Sequence, residues 1–273
     1  MIVFPNAKIN LGLRITSKRS DGYHNLDTVF YPINLKDALE IITDPDPSAN
    51  DVTFTSSGLN IPGSATSNLC IKAYQLLKSK FPELPAIQMH LHKNIPMGAG
   101  LGGGSADGAF TLQLLNEKFK LNISEEELIE LALLLGSDCP FFIKNTPVHA
   151  TSRGEIMQNT SVDLSDKKIV LILPGIHVST ALAFKGCPIS SAIQPCHTIT
   201  QQPVETWKDQ LINDFEQTVF PNYPALATIK AQLYDAGAIY ASMTGTGSTI
   251  FGIFNHAPEL NHIFSNDYQI VYC

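Results

Sequence analysis

The chain has 273 residues, 44% of them hydrophobic, and 25 acidic against 18 basic side chains give a formal net charge of −7. This length suits two compact domains better than a single core, and the acidic balance argues against a nucleic-acid platform. Five scattered cysteines without a CxxC pair argue against a disulfide framework or a zinc site. No apolar run approaches the roughly 18 residues of a membrane span, and the start MIVFPNAKIN lacks a signal-peptide pattern, so a cytoplasmic protein with no membrane partner is expected.

In chain order, Lys8–Ile15, Thr28–Pro32 and Ala38–Thr43 read as strands, with a turn at Arg19-Ser20-Asp21-Gly22, and Asp51–Ser57 offers another. Helical spacing over Ser67–Lys80 places Leu69, Ala73, Leu76 and Leu77 on one side and stops before Pro82. Ile87, Met89 and Leu91 alternate with Gln88, His90 and His92, the pattern of a half-buried strand.

That strand feeds PMGAGLGGGSADGA (Pro96–Ala109), where five of the seven positions from Gly98 to Gly104 are glycine. Without Cβ atoms such a stretch can lay successive backbone N–H groups on a ligand, and a helix opening behind it adds orphan donors and a positive dipole end. Together these favour phosphate. A flexible linker would lack the helical spacing of Ala106, Ala109, Phe110 and Leu114 that follows. No Lys-Ser/Thr pair follows Gly104, so this is not an ATPase P-loop, and the protein-kinase tripeptides HRD and DFG are missing. Gly98, Gly100 and Gly103 nominally match the dinucleotide fingerprint GxGxxG. The acidic strand end expected about 20 residues later is replaced by helical sequence, so a nicotinamide enzyme is the weaker alternative.

Residues 123–136 carry a helix grammar: Ser124 and Glu127 as a capping box, Ile123 and Leu128 as a staple, Gly136 as the stop. Ser137-Asp138-Cys139-Pro140 then forms an exit turn, where an acidic residue is ordinarily solvated or bonded locally. From residue 156 the style shifts. Lys168–Leu173 reads as a central strand, 185–203 as a loop, Val204–Phe220 and Ala225–Ala236 as helices. Strands follow at Ala238–Met243, Thr249–Phe254 and Gln269–Tyr272, around a turn at Thr244–Ser248. This order suggests an α+β second domain with a boundary near 155.

Three separated segments carry a resemblance. PMGAGLGGGSADGA resembles the phosphate loop of the GHMP small-molecule kinases, which act on galactose, homoserine, mevalonate and phosphomevalonate, and MTGTGSTIFGIF (Met243–Phe254) resembles their C-terminal glycine motif. AKINLGLRITSKRSDGYHNLDTVF (Ala7–Phe30), LGSDCPFF (Leu135–Phe142) and STALAF (Ser179–Phe184) resemble more narrowly the branch whose acceptor is a cytidine diphosphate ester of methylerythritol, in the non-mevalonate route to isoprenoid precursors.

The resemblance implies an α+β fold of two domains. Residues 1–155 would be a ribosomal-S5-like ATP-binding and catalytic domain, and 156–273 a ferredoxin-like α/β sandwich on the substrate side. It implies ATP-dependent phosphorylation of a tertiary 2-hydroxyl, with Asp138 as general base and Lys8 as its partner. Those residue types suit the chemistry: a departing hydroxyl proton needs an acceptor, and an ammonium offsets charge on the moving phosphoryl group. Asn10, Tyr23, His24, Thr180 and Phe184 would bind the cytidine diphosphate substrate, with Tyr23 and Phe184 sandwiching cytosine and His24 reading its edge.

For ATP the resemblance implies Lys93 and the loop Pro96, Met97, Gly98, Ala99, Gly100, Leu101, Gly102, Gly103, Gly104, Ser105 and Ala106, with Gly245, Thr246 and Gly247 as a second glycine turn. Taken singly, Lys8 and Lys93 read as ordinary strand lysines, Tyr23 and Phe184 as core or boundary aromatics, His24 as a surface histidine and Gly245–Gly247 as a plain turn. Mg²⁺ is expected with the phosphates. No protein metal site is expected, since His90, His92, His149, His177, His197, His256 and His262 lack ligand spacing. A monomer or weak homodimer is expected. Two departures stand out: the family loop reads Ser-Ser, then Asp or Asn, then Ala-Ala, whereas this chain has Ser105-Ala106-Asp107-Gly108-Ala109; and the segment His149–Glu155 departs from the usual small-residue run. A sister kinase acting on mevalonate, homoserine or a sugar, and a non-catalytic nucleotide-binding module, are the rival readings.

Overall fold

The computed structural model describes residues 1–46, 51–190, 194–260 and 262–273. In chain order its strands are β1 (Ile2–Val3), β2 (Asn6–Lys18), β3 (His24–Lys36), β4 (Ala38–Thr43), β5 (Val52–Gly58), β6 (Ile87–Lys93), β7 (Val148–Ser152), β8 (Ile156–Asn159), β9 (Lys168–Leu173), β10 (Tyr240–Met243), β11 (Ile250–Phe254) and β12 (Gln269–Tyr272). The helices are α1 (Leu69–Lys80), α2 (Gly103–Phe119), α3 (Glu125–Leu135), α4 (Cys139–Lys144), α5 (Thr180–Phe184), α6 (Cys196–Thr200), α7 (Glu216–Val219) and α8 (Pro224–Asp235). The fold is α+β. Its contacts gather into two compact units that alternate along the chain: Met1–Ala7, Asn34–Met97 and Gly102–Thr146 in one, Lys8–Ile33, Gly98–Leu101 and Pro147–Cys273 in the other.

In the first unit, β1-β4-β6-β5 form a sheet in which β5 runs parallel to β6 and the other pairs are antiparallel. The alternation read in β6 is present: Ile87, Met89 and Leu91 are buried, while Gln88, His90 and His92 are not. Helix α1 begins at Asn68, whose side chain accepts the Cys70 N–H at 2.8 Å, and buries Cys70, Ala73, Tyr74 and Leu77. Helix α2 packs on α1, and α3 starts with the complete Ser124/Glu127 capping box. Pro140 lies in the first turn of α4, where its missing N–H costs nothing, so the turn expected at Ser137–Pro140 opens a further short helix.

The second unit holds two sheets, β2-β3-β7-β8 and β10-β11-β9-β12. Strand β9 is central, flanked antiparallel by β11 and β12, which explains its unbroken apolar run. Leu13, Ile15, Val170, Ile172, Phe215, Leu226, Ile229, Met243 and Ile250 share its core. The helix expected over Val204–Phe220 is not continuous: a 3-10 turn covers Val204–Thr206 and α7 only Glu216–Val219. Between them the backbone pairs with β2, Leu13 N donating to Ile212 O at 3.0 Å and Asp214 N to Leu13 O at 2.8 Å, so tertiary pairing overrides helical spacing. Within the expected 185–203 loop lies α6, and residues 191–193 fall outside the described residues. Position 155/156 falls in the turn of the β7–β8 hairpin.

Candidate active site

The glycine loop turns as its composition requires. Gly98, Gly100 and Gly102 hold φ of +69°, +79° and +72°, and Gly102 in left-handed conformation opens the 17-residue helix α2. A Cβ on Gly100 would strike the Thr244 carbonyl oxygen and lie 3.3 Å from that of Gly247. The N-cap Gly102 makes no side-chain capping bond and no acidic residue occupies the first turn of α2, so its first N–H groups and the positive dipole end are not answered from within the helix. Met97 is exposed, Pro96, Gly104 and Ser105 half-buried, and Leu101, Gly103 and Ala106 buried.

Behind the start of α2 lies a buried ion cluster. Lys93 Nζ pairs with Asp37 Oδ2 and, at 2.7 Å, with Asp107 Oδ2. Asp37 Oδ1 also accepts the backbone N–H of Asn94 at 2.6 Å and of Ile95 at 2.8 Å, holding the chain as it enters the loop. Lys93 is therefore neither a surface lysine nor open to solvent, and a Cβ on Gly103 would come within 3.0 Å of its ammonium. Asp107 Oδ1 is buried without a hydrogen-bond partner. Burial pushes the Asp107 carboxyl up to about 7, against the lowering effect of Lys93, with Asp37 adding a further upward push.

Asp138 sits at the N-cap of α4 with φ −87° and ψ −15° and is half-buried. Its neighbour Cys139 is fully buried, and burial lifts that thiol to about 12. Within the first unit, the helix that Asp138 opens packs on α2, Gln113 Nε2 donating to Ile143 O at 3.1 Å. Gly108 explains the family departure beside it: a Cβ there would stand 2.9 Å from the Leu69 Cβ of α1.

In the second unit Lys8 lies on β2, nearly fully buried, its ammonium 4.6 Å from the Phe30 ring centroid. Its backbone N–H donates to Leu101 O at 3.0 Å, and its Nζ to Asn10 Oδ1 at 2.7 Å. Asn10 Nδ2 donates to Thr28 Oγ1 at 3.0 Å, and the Asn10 N–H to Thr244 Oγ1 at 3.1 Å. The turn at Gly245, Thr246 and Gly247 is closed by Gly247 N donating to Thr244 O at 3.0 Å. Buried Asn213 braces it, its Nδ2 donating to Met243 O at 2.7 Å and Gly245 O at 2.8 Å. Thr244 and Asn213 were not singled out from sequence; the only signal was a pair of polar residues, Asn213-Asp214, inside an apolar stretch.

The aromatic residues are brought together in a different pairing from the expected one. His24 stacks on Phe184 at 4.8 Å and 25°, and Phe184 meets Phe215 edge-on at 4.7 Å. Tyr23 is exposed, with the Arg153 guanidinium 5.2 Å from its ring centroid. Thr180, the first residue of α5, is exposed. Among the histidines, His149 is bonded to Asp27 at 2.9 Å and His90 to Thr55 and Ser57. Among the described residues, no three His, Cys, Asp or Glu side chains are grouped to hold a metal ion.

In the first unit a glycine run opens a long helix on which the helix begun by Asp138 packs, and the second unit has a glycine turn of its own; each feature suits a small-molecule kinase. Comparison agrees: residues 68–145 match the GHMP kinases N terminal domain and residues 204–266 the GHMP kinases C terminal domain. A 4-diphosphocytidyl-2-C-methyl-D-erythritol kinase of Cytophaga hutchinsonii is 52% identical over 98% of both chains, and one of Bacteroides fragilis is 50% identical over 100% of this chain and 98% of its own. A crystal structure of 4-(cytidine 5'-diphospho)-2C-methyl-D-erythritol kinase superposes with a TM-score of 0.74 at 29% identity, covering 93% of this chain and 90% of the other. The chain belongs to the 4-diphosphocytidyl-2-C-methyl-D-erythritol kinase family of GHMP kinases. It is a phosphotransferase with an alcohol acceptor and ATP as co-substrate.

Proposed function

We propose that this chain transfers the γ-phosphoryl group of ATP to the 2-hydroxyl of 4-diphosphocytidyl-2-C-methyl-D-erythritol. The loop Pro96–Ala106 and the N-terminus of α2 receive the triphosphate through backbone N–H groups, and Gly245–Gly247 caps it from a second turn. Asp138 takes the hydroxyl proton as the alcohol oxygen bonds to Pγ and the bond to ADP breaks, while Lys8 offsets the charge that develops. Lys93 acts on the loop from its buried pairing with Asp37 and Asp107. Mg²⁺ carried on the triphosphate would supply charge neutralisation there. Asn10 and Thr180 meet the polar parts of the acceptor, and His24 the base edge. Cytosine stacks between Tyr23 and Phe184 once His24 yields the Phe184 face and Arg153 the Tyr23 face.

By function the chain divides near 155/156, with the phosphate loop and both catalytic residues in 1–155 and Thr180 and Phe184 of the substrate side in 156–273, while Asn10, Tyr23 and His24 reach the substrate from the first part and Gly245–Gly247 the phosphates from the second. The enzyme is a monomer or weak homodimer of the cytoplasm; among the described residues no helix is long and apolar enough to cross a membrane. The observation that carries this reading is the packing of α4, the helix that Asp138 opens, on α2 behind the phosphate loop, with Gln113 Nε2 of α2 donating to Ile143 O of α4 at 3.1 Å. Turnover with the cytidine compound set against mevalonate, homoserine and galactose tests the substrate, and activity on another alcohol alone would reassign it. Asp138→Asn is expected to keep ATP binding while losing about a hundredfold or more in kcat; an unchanged kcat removes the base from Asp138.

A further inference from the structure

Thr244 stands just before the second glycine turn and is fully buried. Its hydroxyl oxygen accepts the Asn10 N–H at 3.1 Å, and its single proton has two acceptors within reach, Gly100 O at 3.0 Å and Asn10 Oδ1 at 3.2 Å. Asn10 Oδ1 also receives the Lys8 ammonium at 2.7 Å. The orientation of that amide is over-determined. Thr28 Oγ1 spends its proton on Gly12 O at 2.5 Å, so it can only accept from Asn10 Nδ2, which leaves Oδ1 facing Lys8 and Thr244. On its other side Thr244 holds the peptide of Gly100, at the point where the loop approaches the Thr244 backbone too closely for any Cβ. A buried hydrogen-bond network of this kind is rigid when every member is satisfied.

We propose that Thr244 is a positioning residue for phosphoryl transfer: one hydroxyl fixes both the Lys8–Asn10 pair and the Gly100 peptide of the phosphate loop. The ammonium and the Gly100 peptide are thereby set in register by a side chain that is itself fully buried. This rests on the reading of Lys8 and the glycine loop as the phosphoryl-handling groups. Valine reproduces the shape of threonine without the hydroxyl, leaving the Asn10 N–H buried without its partner and the Gly100 carbonyl unbound.

The experiment is steady-state kinetics on Thr244→Val, Thr244→Ala and Thr244→Ser, each checked for native circular dichroism and melting temperature. Thr244→Val and Thr244→Ala are expected to lose about tenfold or more in kcat and to raise the KM for ATP about threefold or more, with Thr244→Ser within about threefold of wild type on both. Folded hydroxyl-less variants with wild-type kcat and KM overturn the proposal. So does a series in which serine fails as badly as valine, or in which both hydroxyl-less variants simply fail to fold, because Thr244 would then be a packing or folding residue. Failure of the functional reading looks different: the wild-type protein itself would not phosphorylate the cytidine substrate.

Discussion

Asp107 shows how one side chain can be informative through its discomfort. It is buried, paired on one oxygen with Lys93 and unpartnered on the other, and its carboxyl rises from 3.8 to about 7, chiefly because burial penalises the charged form. The native state then holds a proton that the unfolded chain has released across the window between 3.8 and about 7. Stability from this group is fully present below the unfolded value and is lost as pH rises through the folded one. Asp107→Asn, neutral at every pH and about the same size, should flatten that decline. Urea melts from about pH 4 to about pH 8 would show the stability gap between variant and wild type moving in the variant's favour as pH rises. A gap that stays constant across the window means Asp107 does not titrate there. The cluster was not legible as a cluster: Lys93 lies 56 residues from Asp37 and 14 from Asp107, and no local rule links them. Thr244 is harder still, its partners lying 144 and 234 residues away.

Secondary-structure elements were legible where local chemistry decides them. The alternation of β6, the capping box of α3 and the glycine run before α2 each depend on residues a few positions apart, and each stands in the structure as the pattern required. The segment 204–220 was misread because its fate lies elsewhere: Asn213 is recruited to brace Met243 and Gly245, and the backbone around it to pair with β2. Gly108 shows the same contest inside a true helix. Propensity alone makes glycine a fault there, and alanine should gain up to about 1 kcal/mol. Yet α1 approaches so closely that a new Cβ would meet the Leu69 Cβ at 2.9 Å, an atom fixed to backbone and unable to swing away. Overpacking of this kind costs about 1–3 kcal/mol, so the contact outweighs the propensity. Gly108→Ala is expected to lower the unfolding free energy by roughly 1 kcal/mol in urea melts. A more stable variant would mean that α1 can give way at no cost.

At the scale of the whole molecule, the alternation of the two units constrains how the chain can be cut. The second unit takes Lys8–Ile33 as well as everything from Pro147 onward. Leu13 and Ile15 belong to the core that Val170, Ile172 and Phe215 share. Ile15 N donates to the Asp214 carboxylate at 2.9 Å, and Gly12 lies so close to Leu211 and Cys196 that a Cβ would come within 2.6 and 2.8 Å of them. A fragment of residues 156–273 therefore loses two large core side chains, each worth about 2–5 kcal/mol, and besides them two backbone pairings and one backbone-to-carboxylate hydrogen bond around Ile212–Asp214. Against a domain stability of about 5–15 kcal/mol, that loss is of the same size as the whole. The fragment should show no cooperative urea transition. Trp207, the single tryptophan, is buried against Tyr240 with its ring N–H on Gln202 O, so its emission in the fragment should shift to that of an exposed indole. Co-refolding with residues 1–155 should bring back both the transition and the buried emission. A fragment that melts cooperatively with Trp207 still shielded would show that the division near 155/156 is one of folding as well as of function, and that the strand supplied by β2 is an attachment rather than part of that core.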